Sequence, residues 1–150
     1  MPSFTQPTLE TIDAALFAVL QSSFGGFATS SRRLKFYSEV PSEDQPALFL
    51  ATGDMEPRML PPGQPYRWRL FRKIWLYAYT KDDTQVPSSI MNPIINSVIN
   101  VLKPSTPGDR VTLGGLVYNV AMSGRIMTDE GLLGPQAVAV IPVELLTGEL

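Results

Sequence analysis

The chain has neither cysteine nor histidine in its 150 residues. Without cysteine there are no disulfides and no thiolate metal sites, and the redox compartment cannot be read. Without histidine the commonest general base, the commonest transition-metal ligand and the usual pH switch are all missing. Charge is sparse as well: 17% of residues are charged and the net charge is -2, so nothing draws the whole chain toward nucleic acid or an anionic membrane. Apolar runs reach only seven residues, at 14–20, against the roughly 20 that a membrane-spanning helix needs. No basic residue precedes the apolar part of "MPSFTQPTLETIDAALFAVLQ". The segment therefore does not read as a secretory signal, and the chain is expected to stay in the compartment where it is made.

Apolar residues make up 44% of the chain, which is enough for a core, and the length suits one domain over 1–150. Fourteen prolines and eleven glycines point to a sheet protein with punctuated loops rather than a helical bundle. Residues 8–23 are expected to form a first helix: Thr8 can cap it, Leu9, Ile12, Leu16, Val19 and Leu20 make one stripe, and Gly25–Gly26 end it. Strands are expected over 32–40 and 46–54, and the proline-rich 55–65 is expected to be an irregular exposed loop. A long strand over 66–80 and a loop over 81–89 follow. A second helix is expected over 91–103, with Asn92 as cap, Pro93 at the first helical position, and Ile94, Ile95, Val98, Val101 and Leu102 buried. The alternating segment 116–128, a turn over 129–135 and the segment 136–146 read as an antiparallel hairpin, with Pro142 marking an edge or a bulge. The expected class is α+β: a mixed, mostly antiparallel sheet with two main helices packed on one face.

The stretch "YRWRLFRKIWLYAYT" (66–80) holds both tryptophans and four of the twelve basic residues. Alternation puts Tyr66, Trp68, Leu70, Arg72, Ile74, Leu76 and Ala78 on one face, apolar except for Arg72 and suited to meet the helices. Arg67, Arg69, Phe71, Lys73, Trp75, Tyr77 and Tyr79 share the other, which is basic early and aromatic late. Fifteen residues at about 3.3 Å would overrun a domain roughly 38 Å across, so the segment must bend or project. Three readings stand at this point: a central strand covered by its own chain, a subunit interface rich in Trp, Tyr and Arg, or a nucleic-acid surface.

Chemistry is hard to place. The acidic pairs Glu43–Asp44, Asp82–Asp83 and Asp129–Glu130 fall in turns or loops, where they read as solvated carboxylates with no further ligand at metal spacing. A serine nucleophile would need lysine as its base, and no Ser-x-x-Lys is present. There is no phosphate-loop or dinucleotide fingerprint. No catalytic, metal or cofactor-binding residue is assigned, no cofactor is expected, and a binding role is favoured over an enzyme.

The order of these segments resembles the tail terminator proteins of long-tailed bacteriophages, also called minor tail or tail-completion proteins. The resemblance lies in the helix "IDAALFAVLQ", the strand "EDQPALFLATGD", the basic-aromatic strand "WRLFRKIWLYAYT", the helix "MNPIINSVINVL" and the hairpin "VYNVAMSGRIMTDEGLLGPQAVAVIPVEL". It is one of pattern over nearly the whole chain, without a motif that carries a residue across. It implies a structural protein of the virion, placed in the tail at the neck and made in the bacterial host cytoplasm. Six copies would form a ring that caps the tail tube, ends tube polymerisation, joins the tail to the head-tail connector and leaves a channel for genomic DNA. Contact with that DNA would be weak, and no membrane would be involved. Arg69, Phe71, Lys73, Trp75 and Tyr77 are then candidates for one subunit or tube contact. Arg58, Met59 and Leu60 in the proline-rich loop, and Asp82 and Asp83 in the "KDDT" turn, are candidates for others. Two alternatives are another head-to-tail joining neck protein and a single-stranded nucleic-acid-binding module that uses 66–80.

Overall fold

The computed structural model describes residues 6–58, 61–64, 66–80, 84–129 and 135–150. The fold is α+β. Six strands form one mixed, mostly antiparallel sheet: β1 (Thr29–Ser31), β2 (Ala47–Arg58), β3 (Arg67–Tyr79), β4 (Asn119–Met122), β5 (Met127–Asp129) and β6 (Gln136–Thr147). The spatial order is β1-β2-β3-β6-β4, with β5 also paired to β6; only β1 and β2 run parallel. Two helices, α1 (Leu9–Ser22) and α2 (Pro87–Leu102), share a single apolar core with one face of the sheet. No helix among the described residues is long and apolar enough to cross a membrane.

Helix α1 forms as its sequence dictates. Thr8 Oγ1 accepts a hydrogen bond from the Thr11 backbone N–H at 3.1 Å, which satisfies one free donor of the first turn. Ile12, Leu16 and Leu20 are fully buried. Asp13, beside that stripe, is buried too, and its partner is the Arg72 that broke the apolar face of β3. Arg72 donates from Nε to Asp13 Oδ1 at 2.7 Å and from Nη2 to Oδ2 at 3.2 Å. Its Nη1 donates to the Phe71 carbonyl at 2.9 Å. A buried guanidinium is tolerable only when its donors are met in this way.

Strand β3 is central, paired with β2 over Arg67–Tyr77 and with β6 over Trp68–Tyr79. Its even positions from Leu70 to Ala78 are buried against the helices, as the alternation requires. The closing hairpin is present, although its first strand is split into β4 and β5, both paired with β6. Between them, residues 123–126 stand opposite only Ile141 and Pro142. Ser123 N donates to the Pro142 carbonyl at 3.0 Å, so the missing N–H of Pro142 faces this interruption. Pro142 therefore marks a bulge within a central strand, not a sheet edge.

Three expectations are corrected. Residues 32–40 are not a strand: the short β1 precedes them, and Tyr37–Glu39 is a single 3-10 turn. Arg32 is drawn instead to α1, where it pairs with Glu10, and the Tyr37–Val40 turn packs on Phe49 and Tyr77 across the sheet. The proline-rich segment is not irregular from its start, because Met55–Arg58 continues β2. The partner β1 reaches only Phe49, so β2 is an edge strand beyond that point, where Pro57 is tolerated. Helix α2 begins a turn before the expected 91, with Pro87 at its first position; Asn92 is not its cap and Pro93 lies inside it. Pro87 and Pro93 carry the same helix-start signal, and the buried Met91 lengthens the apolar stripe toward the earlier one.

One glycine sets the phase of the sheet. The register of β2 on β3 slips between Thr52 and Met55, so Gly53 and Asp54 oppose Phe71 alone. A Cβ on Gly53 would lie 2.7 Å from the Phe71 carbonyl oxygen, closer than side-chain carbons approach. The inserted residue inverts the alternation of everything after it. Glu56 and Arg58 consequently stand opposite Arg69 and Arg67, on the face away from the helices.

Candidate interaction surface

The face of the sheet opposite the helices carries the odd residues of β3 with their cross-strand partners. Reading away from the β2–β3 turn, the rows are Arg58–Arg67, then Glu56–Arg69–Leu146–Asn119, then Phe71–Glu144–Ala121. Ala51–Lys73–Pro142 and Phe49–Trp75–Val140–Met127 follow. Strand alternation thus brings Arg69, Phe71, Lys73, Trp75 and Tyr77 onto one surface. Their environments differ sharply.

Arg69 is held on three sides. It donates from Nε to Glu144 Oε1 at 2.6 Å and from Nη2 to Oε2 at 3.1 Å, and its Nη1 lies 3.6 Å from Glu56 Oε2. Its guanidinium carbon sits 5.2 Å from the centre of the Phe71 ring. The hydrogen bonds from Arg69, with its positive charge, hold the Glu144 carboxyl below the usual carboxylate range against the opposing effect of burial. The same bonds raise the Arg69 pKa above its ordinary value. This fork-on-carboxylate geometry fixes the Arg69 side chain over Phe71. Lys73 is exposed and in no ion pair among the described residues. Trp75 is half-buried, and its indole N–H, itself out of reach of water, has no acceptor among the described residues.

Tyr77 must be withdrawn from the patch. It is 2% exposed, its ring packs 5.5 Å from that of Phe49, and its hydroxyl donates to the Lys35 carbonyl at 2.6 Å. Burial, with Glu39 nearby, pushes its pKa up to about 12. The 3-10 turn at Tyr37–Glu39 and Val40 cover this end of the sheet, so Tyr77 belongs to the chain's own second apolar cluster. Arg58 closes β2 and is exposed. Met59, Leu60, Asp82 and Asp83 lie outside the described residues.

Of the four basic residues of 66–80, Arg72 is sealed in the core and Arg69 is occupied by two carboxylates. Arg67 and Lys73 alone remain open, with Glu56 and Glu144 on the same face between them. Carboxylates interleaved at that spacing repel a phosphate backbone, so the strand lacks the continuous basic track that single-stranded nucleic-acid binding uses. The groove lined by Glu56, Pro57, Arg58, Arg69, Glu144 and Leu146 is instead a surface of mixed sign. Sequence reasoning missed Glu144 and Glu56, because Glu144 is 75 residues from Arg69 and Glu56 reaches it only through the Gly53 slip.

No protein-family model matches the chain, and no curated protein matches it either.

Proposed function

We propose that the chain is a structural protein that assembles with copies of itself through this face, as a ring of six that ends a phage tail tube and joins the tail to the neck. The observation that carries the reading is the sheet's second face. Helices cover one side of the sheet. On the other, among the described residues, the Tyr37–Val40 segment covers the Phe49–Tyr77 end, and Phe71, Lys73 and Trp75 stay partly or fully open around the Arg69–Glu144 fork. Aromatic and arginine side chains pre-ordered in this way are the usual anchors of protein interfaces. Segment order adds support, since a mixed sheet with two helices on one face is the layout that the resemblance to tail terminators implies. A ring is a closed heterologous assembly, in which one patch meets a different patch on the next copy. A net charge of -2 suits a channel that must let DNA pass without holding it.

The test is a tube-growth assay. Added to polymerising cognate tail-tube subunits, the chain should stop elongation and appear at tube ends in micrographs. A variant in which both Phe71 and Trp75 are replaced by alanine should lose this. Tubes that lengthen unchanged in the presence of the wild-type chain would refute the reading.

A further inference from the structure

The last rung of the β2–β3 ladder breaks a rule of sheet pairing. Arg58 stands directly opposite Arg67, on the same face, at the end of the hairpin. Like charges directly opposite one another destabilise a strand pair. Both side chains are exposed, and among the described residues neither takes part in an ion pair. The nearest carboxylates on that face, Glu56 and Glu144, both belong to Arg69. Among the described residues the pair is therefore a double positive charge without a local counterion, maintained by the register slip that turns Arg58 to this face. Local conflicts of this kind are expected where a binding function needs them.

Two guanidiniums side by side suit a carboxylate pair, which each can grip with a planar fork. A polyanionic strand fits less well, since Glu56 and Glu144 occupy the next rows of the same face. The chain carries a matching group. Glu43 and Asp44 are adjacent, exposed and in no ion pair among the described residues, in the single 3-10 turn Ser42–Asp44. Arg33 and Lys35, earlier in the same connection, line a different groove with Phe36 and Glu39. The acidic turn precedes the first residue of β2, whereas Arg58 is its last. Twelve residues of strand separate these poles by roughly 35 Å at about 3.3 Å per residue, so one copy cannot bring its own two poles together.

We propose that Arg58 and Arg67 of one copy grip the Glu43–Asp44 turn of a second copy, head to tail. The inference rests on the ring reading and names the contact that closes it. Opposite poles on one subunit make the contact heterologous, so it propagates from copy to copy until a ring closes.

Charge exchange tests it. Full-length chains carrying Arg58→Glu with Arg67→Glu, or Glu43→Arg with Asp44→Arg, are compared with wild type by light scattering, alone and with cognate tail tubes. Each variant should lose association at least tenfold, and an equimolar mixture of the two, in which every head-to-tail contact again joins opposite charges, should recover it as alternating assemblies. The single variant Arg67→Glu places opposite charges across the last rung, so its melting temperature should hold or rise while association falls, a combination that a purely structural role would not give. If wild type forms rings and the exchanged variants form them equally well, this contact is overturned and the ring reading stands. If association falls but the mixture does not recover it, the partner is not the Glu43–Asp44 turn, and the proposal fails. If the arginine variant instead loses salt-sensitive DNA binding with assembly intact, the pair serves nucleic acid and the proposal is likewise refuted. Wild type that neither self-associates nor caps tubes overturns both.

Discussion

Replacing Asp13 with leucine tests the described packing of α1 on the sheet. Asp13 and Arg72 are 5% and 4% exposed, and two hydrogen bonds of 2.7 and 3.2 Å join them. Removing the carboxylate leaves a guanidinium in the core with only the Phe71 carbonyl to receive it. Breaking a buried pair from one side costs about 3–5 kcal/mol. At roughly 3 °C per kcal/mol for a chain of this size, the melting temperature should fall by about 9–15 °C. Arg72→Leu should cost less, because Arg32, 3.8 Å from Asp13 and one-third exposed, can turn toward the orphaned carboxylate. The double replacement should recover most of the loss, since an apolar pair of similar volume is tolerated in place of a buried ion pair. Thermal melts of the four proteins, followed by circular dichroism, give the cycle. A drop under about 1 kcal/mol for Asp13→Leu, or a strictly additive double variant, would mean that the pair is solvated and that α1 does not lie where described.

Further outcomes follow from single residues. Gly53→Ala should destabilise the chain by about 1–3 kcal/mol in chemical denaturation, because its Cβ meets the Phe71 carbonyl oxygen and backbone must move to admit it. Pro93→Ala should raise stability by about 1–3 kcal/mol, since Pro93 lies on the exposed side of α2 and denies the helix an internal hydrogen bond. In ultraviolet titration one of the five tyrosines, Tyr77, should ionise near pH 12 and fall silent in Tyr77→Phe. Its folded pKa is raised, so its contribution to stability is complete below about pH 10 and is lost as pH climbs toward 12, where alkaline unfolding should begin.

Elements governed by local chemistry were legible in the sequence. Thr8 and the stripe Ile12, Leu16, Leu20 define α1, and alternation in 66–80 separates the core face of β3 from its open face. Where two local signals competed, tertiary packing decided: Pro87 and Pro93 both announce a helix start, and burial of Met91 selects the first. The prolines of 55–65 argued against a strand, yet an edge strand beyond the reach of β1 accepts Pro57 without loss. Residues 32–40 read as a strand, but Leu34 and Phe36 are exposed and the chain there is held by Arg32 on α1 and by the hydroxyl of Tyr77. The candidate surface was half legible. Period-two spacing groups Arg69, Phe71, Lys73 and Trp75, whereas the Arg69–Glu144 fork depends on strand register 75 residues apart, which no local pattern encodes. The Arg58–Arg67 rung depends on Gly53, whose role as a phase shift appears only once β2 is laid against β3.

The most direct test of the assembly reading is the mass of the chain in solution, by light scattering, alone and then with purified tail tubes. A ring of six gives a discrete species of six times 16.5 kDa, either free or formed on tube ends. A chain that stays at 16.5 kDa and leaves tube ends bare would contradict it.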